Sequence, residues 1–489
     1  MTLGIHFNIR TVTVAAVNRR RAWLLKYLKQ TQAQKLVQAG ELALLKAFRQ
    51  TAARVPAYQQ ILQKHQLDFR DIKTIEDFQQ RVPILDKQST FGRFSLPQLC
   101  LDGNTNDIVS VLNSSGHSGL FSFSVNTAQS LITSARSIDL GLQYAFGVDV
   151  KNSILINALP MGVKVRTERA VLSETSVRED MVWATVKYFG PHYEQIIIVV
   201  EGSFVKKIIE EGPDHGVDWS RFKIHIVIGE EGITEGWRSY IASLLGHNFT
   251  QPEKGLIASS MGVAELDLNI FHETFDTIRI RRLALANDQL RQALFGSDTK
   301  ALPMFFQYYP HRTFVETSQP EKFRSELVVS MLSTELKLPL IRYNTKDVGR
   351  VYSYAEVVSI LTKTLPEVIW PELRLPFVAV WGRGEGVRVG AYFVTPEEVK
   401  EAIYSDFLIA AATTGNFKMT LSADKKTLLL YIQAKQGQEL NARLKEMLET
   451  GVGRLTGAPV EVKWYSWEEF PWNVNVDYER KFNYFLEDR

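Results

Sequence analysis

The chain has 489 residues, of which 45% are hydrophobic and 23% are charged, with a net charge of +3. This length predicts about two to four domains, and the near balance of charge gives no global field that would attract nucleic acid. The single cysteine, Cys100, cannot form an internal disulfide, and no Cys/His cluster has structural zinc spacing. We therefore expect a reducing, cytoplasmic setting. No apolar run approaches the roughly 18 residues of a membrane-spanning helix.

The first 54 residues are strongly basic. They contain ten Lys or Arg residues and one acid, Glu41. Such a segment can lay a basic amphipathic helix on an anionic membrane or a partner, or it can form a helix whose basic face is simply solvated. Residues 1–17 lack the apolar core and cleavage site of a secretory signal. Membrane-surface contact through this segment is one hypothesis for a partner.

The patterns of the chain change in order from helical to mixed and then to a smaller unit. Residues 23–66 show helical spacing, and residues 74–80 read as a short helix with Thr74 as its N-cap. Beyond residue 107, short apolar runs alternate with helical stretches, which predicts an α/β architecture with a largely parallel sheet. Strands are predicted at 108–112, 153–158, 195–200, 223–229 and 256–258, and helices at 128–146, 203–211 and 235–245.

A compact C-terminal unit is predicted from about residue 383. Thr395 followed by Pro396 is a strong helix start, and strands are predicted at 387–393, 418–422 and 427–433, with a last helix at 440–450. The fold class is then a large multi-layer α/β domain with an N-terminal helical lead-in, plus a small mobile α+β C-terminal domain. Its expected boundaries are 1–106 for the helical region of the large domain, 107–382 for the core and 383–489 for the C-terminal lid.

Residues 338–350, LPLIRYNTKDVGR, carry the most informative acid of the chain. The pattern predicts an apolar strand that delivers Asp347 into a polar, turn-prone segment. A carboxylate there can accept two charge-assisted hydrogen bonds from the vicinal hydroxyls of a ribose. The alternative is a hairpin turn with a solvated Asp.

Two Gly-containing segments follow predicted strands and suit a phosphate and its cation. In residues 112–120, LNSSGHSGL, hydroxyls and backbone N–H groups can wrap a phosphate, although the Walker A ending is absent and a surface turn explains the same residues. In residues 258–265, ASSMGVAE, the carboxylate of Glu265 can bind Mg²⁺, or it can lie in the first turn of a helix.

Two basic residues complete the set. Arg383 follows a predicted strand and stands beside a glycine pair, where it can contact phosphate or ribose next to a hinge. Lys481 lies in a polar segment near the end of the sequence and can reach a neighbouring site as a point charge. A solvated lysine is the alternative there.

In their order along the chain, these motifs resemble the adenylate-forming superfamily of acyl-CoA synthetases and adenylation domains, most closely its phenylacetate-CoA ligase branch. Its ribose motif, PliRYrTgD, matches residues 339–347 almost position by position. Its phosphate loop, SSGTTGKP, corresponds to residues 114–119, and its YGxTE segment to residues 261–265. Further similarities are the VPAY step at 55–58, the P...K step at 83–87, the gE segment at 228–231, the GR hinge at 382–383 and the fP.eiE segment at 394–399.

The resemblance implies a function, its cofactors and a set of site residues. The chain would use ATP and Mg²⁺ to convert a small carboxylic acid into an acyl- or aryl-adenylate. It would then pass the acyl group to CoA or to another thiol or amine, such as that of a carrier protein. Glu265 would ligate Mg²⁺, and Lys481 and His117 would act in catalysis. The implied nucleotide-binding residues are Ser114, Ser115, Gly116, Ser118, Gly119, Gly229, Glu230, Met261, Gly262, Asp347 and Arg383.

The departures from the family pattern define an alternative. Where the family loop has Thr-Thr-Gly-Lys, this chain has His117, Ser118, Gly119 and Leu120, so one hydroxyl and one cation are missing. Neutral His117 can still donate one hydrogen bond, and protonated it can replace some charge. The alternative is a nucleotide-binding, non-catalytic relative that acts as a scaffold or assembly factor.

Overall fold

The computed structural model describes residues 9–113, 120–160, 162–229, 231–249, 251–367, 370–438, 441–472 and 483–486, with side chains from residue 17 onward. Within these residues the helices and strands alternate as an α/β protein requires. The helices are α1 (Ile9–Gln30), α2 (Ala33–Arg54), α3 (Pro56–Lys64), α4 (Ile75–Arg81), α5 (Leu96–Leu99), α6 (Ala128–Phe146), α7 (Glu179–Phe189), α8 (Gly202–Glu211), α9 (Glu235–Leu244), α10 (Phe275–Ala286), α11 (Asp288–Phe295), α12 (Tyr354–Thr364), α13 (Pro396–Ser405), α14 (Phe407–Ala412) and α15 (Ala442–Thr456).

The strands belong to one large sheet and three small ones. They are β1 (Ser110–Asn113), β2 (Phe123–Asn126), β3 (Ser153–Ala158), β4 (Val171–Glu174), β5 (Gln195–Val200), β6 (Ile224–Ile228), β7 (Ile257–Val263), β8 (Asp267–His272), β9 (Met304–Gln307), β10 (Thr313–Thr317), β11 (Ser325–Met331), β12 (Tyr343–Tyr352), β13 (Phe377–Val380), β14 (Val387–Val389), β15 (Tyr392–Val394), β16 (Thr413–Leu421), β17 (Leu428–Ala434) and β18 (Val460–Tyr465).

The large sheet has eleven strands in the order β10-β11-β12-β13-β9-β8-β7-β6-β5-β3-β4. The strands from β3 to β7 pair in parallel, and from β7 to β10 the pairing is antiparallel. The prediction of a largely parallel sheet is therefore correct for one half only. In the other half, no helix lies between β7 and β8, between β10 and β11 or between β11 and β12, so each of these strands returns antiparallel to the one before it.

The N-terminal helical stretch is divided into three helices. Val55 closes α2 with an extended backbone, φ −103° and ψ 114°, as expected for a residue that precedes a proline. Pro56 then occupies the first turn of α3, where its missing N–H costs nothing. The short helix predicted at 74–80 is confirmed as α4, with a capping box between Thr74 and Asp77.

Helix α1 buries part of its basic charge. Arg21 is 5% exposed and forms ion pairs with Asp139 of α6 and with Asp149 after it. In contrast, Arg19, Arg20 and Lys26 point outward. Arg21 thus fixes α1 to the rest of the protein, whereas the other three basic residues form an exposed outer face of the helix. No helix among the described residues is both long and apolar enough to cross a bilayer.

A buried ionic cluster fixes β7 to the helices beneath it. Arg238 of α9 contacts both carboxylate oxygens of Glu273 at 2.8 and 2.9 Å and also pairs with Glu235. Arg281 of α10 joins Glu235 at 2.9 Å. The same Glu273 accepts a hydrogen bond from the backbone N–H of Ser259 in β7. This cluster, defined as Glu235, Arg238, Glu273 and Arg281, holds the strand that leads to Met261 and Glu265.

The C-terminal elements form a small α+β layer. Strands β16, β17 and β18 make a three-stranded sheet, α15 packs against β18, and α13 packs against α15. Helix α13 begins where predicted, with a capping box between Thr395 and Glu398. The single strand predicted at 387–393 is instead a hairpin of β14 and β15, because Gly390 turns the chain with a φ of 58°.

Candidate functional site

Asp347 lies inside β12 and not in a turn after a strand. The strand predicted from residue 338 begins only at Tyr343 and runs past Asp347 to Tyr352. Between the pairs Glu326↔Val348 and Val328↔Asn344, β12 has more residues than β11, which is a β-bulge. Lys346, within this bulge, has a left-handed φ of 66°, which few residues other than glycine adopt. Bulges re-aim side chains at active sites, and this one presents Asp347.

The hinge motif lies directly beside Asp347. The backbone N–H of Val348 donates to the carbonyl of Gly382 at 2.7 Å, and the N–H of Trp381 donates back to Val348 at 2.8 Å. Asp347 directly precedes Val348, and exposed Arg383 directly follows Gly382. The two residues therefore lie on neighbouring, hydrogen-bonded segments. Two residues predicted to contact the ribose are brought together by this pairing.

The segment before β12 is held by the N-terminal region. The hydroxyl of buried Tyr58 accepts from the N–H of Ile341 at 2.7 Å and donates to its carbonyl at 3.1 Å. Arg342 is also buried and forms a salt bridge with Glu316 at 2.7 Å, while it bonds the carbonyl of Val82. Arg342 of the RY pair therefore has a structural role. Its contacts and those of Ile341 fix the first half of the ribose motif to the N-terminal region and to β10.

Glu265 lies in the turn between β7 and β8, so the alternative of a helix start is wrong. Its Oε1 accepts a hydrogen bond of 2.7 Å from the hydroxyl of Tyr343, the first residue of β12. Gly262 lies on β7 before it, where a Cβ would stand 2.5 Å from the carbonyl oxygen of Leu268. Only glycine fits that position. Met261 is partly buried and packs against the main core.

Lys87, the lysine of the P...K step, is a further charged residue of this site, and its sequence motif predicts no role for it. Leu85 pairs with Tyr343, since its N–H donates to Arg342 and its carbonyl accepts from Asn344. Lys87 follows two residues later and is partly buried. Burial lowers the pKa of Lys87, Glu265 opposes that shift and Arg383 adds to it.

The same segment also contacts the end of the Ser/Gly loop. A Cβ at Gly92 would stand 3.2 Å from the side chain of Leu120. The segment that carries Lys87 therefore lies between β12 on one side and Leu120 on the other. The sequence shows a lysine after Pro83 but not that this segment lies beside β12, because the contacts between them join residues about 260 positions apart.

Gly229 directly follows β6, and its N–H donates to the carbonyl of Val200 at 3.0 Å. Glu231, two residues later, accepts hydrogen bonds from Lys400 at 2.8 Å and from the hydroxyl of Tyr484 at 3.0 Å. Both partners come from the C-terminal part of the chain. This edge of the sheet is thus where the core and the C-terminal layer meet.

Several predicted site residues lie outside the described residues. They include the two predicted catalytic residues and most of the phosphate loop, whose ends are the paired strands β1 and β2. The set is Ser114, Ser115, Gly116, His117, Ser118, Gly119, Glu230 and Lys481.

The donor set of the described site suits a cation shared with a substrate. Glu265 is a carboxylate with one oxygen engaged by Tyr343, and no group of three or more His, Cys, Asp or Glu residues gathers to hold a metal in the described part of the chain. Mg²⁺ is usually bound in this way, through one or two carboxylates together with substrate phosphates and water.

Comparison with known proteins identifies the fold. No protein-family model matches the chain, and no curated protein sequence matches it. A solved structure of 2-hydroxyisobutyryl-CoA ligase, in the postadenylation state in complex with R3-HIB-AMP, matches with a TM-score of 0.68 and 13% identity, over 95% of this chain and 92% of that one. The chain has the fold of the adenylate-forming ligases.

Other states of the same ligase resemble this chain to different degrees. The postadenylation state in complex with 2-HIB-AMP has a TM-score of 0.67, with 13% identity over 95% of this chain and 92% of that one. An open conformation in complex with 2-HIB-AMP and CoA has a TM-score of 0.54, with 13% identity over 94% and 93%. Of these three structures, the two in the postadenylation state have the higher TM-scores.

Proposed function

We propose that this protein uses ATP to activate a small carboxylic acid as an acyl- or aryl-adenylate and then transfers the acyl group to CoA or to another thiol or amine. The observation that carries the proposal is the convergence of Asp347, Arg383, Glu265 and Lys87 around the first half of β12. These four groups come from separate parts of the sequence. A carboxylate for a diol, a carboxylate for a cation and two basic groups make a site suited to a nucleoside triphosphate.

The first reaction joins the substrate carboxylate to the α-phosphorus of ATP. A carboxylate oxygen forms the new O–P bond, the bond from the α-phosphorus to the bridging oxygen breaks, and pyrophosphate leaves with that electron pair. In the second reaction the acceptor thiol or amine forms a bond to the acyl carbon, its proton is lost, and AMP leaves. Fixed positive groups that meet the developing phosphoryl charge supply most of the catalysis in phosphoryl transfer.

The proposed roles follow the arrangement of the site. Asp347 accepts hydrogen bonds from the ribose hydroxyls, and Arg383 assists it from the neighbouring segment. Glu265 would hold Mg²⁺, which supplies charge neutralisation at the phosphates when bound. The proposed adenine side comprises Gly229, Glu230, Met261 and Gly262, and the proposed phosphate loop comprises Ser114, Ser115, Gly116, Ser118 and Gly119.

Lys87 is proposed to supply the cation that the phosphate loop lacks. The family position for a loop lysine is occupied by Leu120, and Leu120 packs beside Gly92 on the segment that carries Lys87. In this proposal its ammonium reaches the phosphates from the side opposite the loop. His117 is proposed to donate to the phosphates from within the loop, and Lys481 to meet the α-phosphate and the carboxylate.

The test is carboxylate-dependent exchange of labelled pyrophosphate into ATP, with a panel of small aliphatic, hydroxylated and aromatic acids. We expect exchange with at least one acid and release of AMP when CoA is added. Exchange without AMP release on adding CoA would keep adenylation and point to another thiol or amine. If no acid supports exchange although ATP raises the melting temperature, the protein is a nucleotide-binding relative without this activity. Leu120→Lys then gains exchange only if the missing loop cation was the cause.

Membrane-surface contact is proposed for the outer face of α1. Arg19, Arg20 and Lys26 lie on this face together with Trp23, which is 63% exposed and stacks on Tyr27. Exposed cations beside aromatic side chains suit an anionic lipid surface. We expect co-sedimentation with phosphatidylserine-containing vesicles and not with pure phosphatidylcholine vesicles. The triple variant Arg19→Glu, Arg20→Glu, Lys26→Glu should lose it, and binding that survives in this variant would refute the proposal.

A further inference from the structure

Helix α6 covers the face of the large sheet that is formed by β5, β6 and β7. The exposed residues of α6 lie on one face of the helix, at positions 129, 132 and 136. The opposite face points toward the sheet, since Ile138 and Ala145 pack against the core that includes Ile197 and Val199 of β5. By helical spacing, this inner face comprises Ser134, Ile138, Gly141 and Ala145.

The inner face of α6 is not closed against the sheet. All four of its residues are only partly buried. Val227 packs against the same core and is also partly exposed, although it lies in β6 between β5 and β7. On the other side of β6, Ile226 and Ile228 are 0% exposed. A space therefore remains between α6 and the sheet, and we call it the α6 channel.

Gly141 stands at the middle of the α6 channel. It lies inside a regular helix, so its backbone conformation does not require glycine, and glycine is less favourable than alanine in a helix interior. No atom lies within 4 Å of the place where a Cβ would stand. In α2, by contrast, the carbonyl oxygen of Pro310 excludes any side chain at Gly40. Packing thus explains Gly40 but not Gly141, whose effect is to keep the channel open.

The channel opens at the proposed adenine side. Gly229 comes two residues after Val227, which is about 7 Å along an extended chain. On the neighbouring hairpin, Leu268 is partly buried and packs against the same core. The carbonyl oxygen of Leu268 would stand 2.5 Å from a Cβ at Gly262. The open end of the channel thus lies beside two glycines of the proposed nucleotide site.

The other end of the channel is closed near the start of β6. Helix α6 ends at Phe146, whose ring centre lies 4.7 Å from that of His225, the second residue of β6. Phe146 and His225 are 3% and 1% exposed. From Ile138 to Ala145 the helix rises about 10 Å, which is roughly the length of an extended chain of eight carbons with bonds of about 1.5 Å.

The wall of the channel is apolar where the structure describes it. Its members are small or aliphatic residues and one aromatic ring, namely Ile138, Gly141, Ala145, Val227, Leu268 and Phe275. A hydrocarbon group gains free energy on leaving water for such a wall. A hydroxyl or charged group would lose its water there, and these side chains offer it no hydrogen bond in return.

We infer that the acid activated by this protein is an apolar, straight-chain carboxylic acid of about six to ten carbons, whose hydrocarbon chain occupies the α6 channel. The carboxylate then lies at the open end, beside the proposed nucleotide site. Gly141 admits the middle of the chain, and Ala145 limits its length. The inference rests on the proposed function and names the class of acid that this function uses.

The first test measures pyrophosphate exchange with a series of acids from butanoate to decanoate. At low acid concentration, we expect the rate to rise roughly fourfold for each methylene group added up to octanoate, the effect of burying one such group. Octanoate that carries a terminal hydroxyl should be at least about tenfold poorer than octanoate itself. A rate that does not rise with chain length, or a preference for short hydroxy acids, would overturn the inference.

Two variants fill the channel at different depths. Gly141→Leu should reduce exchange with octanoate roughly 100-fold and leave butanoate within about twofold. Ala145→Leu should reduce exchange with decanoate at least about tenfold and leave hexanoate within about twofold. Gly451→Leu is the matched control, because Gly451 of α15 also has no atom within 4 Å of a Cβ, and it should leave the series unchanged.

Circular dichroism and urea unfolding establish that each variant is folded. If Gly141→Leu does not fold, Ala145→Leu decides the question by itself, since a loss confined to the longest acids supports the channel. The dependence on chain length seen in the unchanged protein, if it persists in a folded Gly141→Leu or Ala145→Leu variant, would show that the acyl chain lies elsewhere.

Direct binding of octanoate separates the channel from the proposed function. If the unchanged protein exchanges no pyrophosphate with any acid, the proposed function fails, but octanoate should still bind in isothermal titration calorimetry. This binding should show the negative heat-capacity change of apolar burial. Gly141→Leu should weaken it at least about tenfold, whereas Gly451→Leu should not. The absence of octanoate binding, or equal binding by both variants, would overturn the inference itself.

Discussion

Replacement of Asp347 by alanine is expected to reduce carboxylate-dependent pyrophosphate exchange by roughly 10²- to 10⁴-fold at subsaturating ATP. The variant loses two hydrogen bonds between a carboxylate and the ribose hydroxyls, each worth about 1.5–3 kcal/mol, and each 1.4 kcal/mol is about a factor of ten. The measurement is the rate of exchange as a function of ATP concentration. The loss should appear mainly in the apparent affinity for ATP, because the diol is bound in both the ground state and the transition state.

Two further variants test whether the loss of exchange is specific to the carboxylate of Asp347. Asp347→Asn retains one acceptor without the charge and should lose less than the alanine variant. Asp288→Ala removes an acid in the first turn of α11 that is 74% exposed, and it should behave like the unchanged protein. If Asp347→Ala exchanges pyrophosphate within about twofold of the unchanged protein, Asp347 does not bind the ribose.

The second large effect concerns stability. We expect Arg238→Met to lower the free energy of unfolding by roughly 3–5 kcal/mol, because removing one partner of a buried ion pair leaves a charge without compensation. Here the carboxylate that loses its two-oxygen partner is Glu273, which is fully buried, also holds the N–H of Ser259 and keeps only the longer contact of 3.9 Å with Arg281. The measurement is the urea unfolding transition followed by tryptophan fluorescence and circular dichroism.

Arg178→Met is the matched control for this prediction. Arg178 pairs with Asp180 at 2.6 Å, but both side chains are more than 60% exposed, and exposed ion pairs contribute about 0–1 kcal/mol. If both variants unfold at the same urea concentration, the buried cluster does not stabilise the protein as described.

Local chemistry explains which elements could be predicted. The starts of α4 and α13 were confirmed because Thr74 and Thr395 form their capping boxes within four residues of sequence. Helix α6 was confirmed over its whole predicted length, since its N-cap, Thr127, and its left-handed terminal glycine, Gly147, are adjacent to it. In each case the interactions that define the element are made by its own residues.

The remainder depended on contacts between distant residues. The residues before Tyr343 look like a strand, and the carbonyl of Leu340 does accept from Met331 at the end of β11. The backbone of Ile341, however, bonds the hydroxyl of Tyr58, and the side chain of Arg342 bonds Glu316 and Val82. The bulge at Asp347 exists only because β11 and β13 pair with β12 on either side. Likewise, nothing near Glu231 in the sequence indicates that Lys400 and Tyr484 contact it.

The bond between Tyr58 and Ile341 also has a consequence for synthesis of the chain. The two residues are 283 positions apart, so at about 5–20 residues per second the Tyr58 hydroxyl waits roughly 15 to 60 s on the ribosome for its partner. During that time the apolar faces of α2 and α3 lack the strands that cover them in the finished protein. We therefore expect the nascent N-terminal helices to require chaperone protection until β12 has emerged.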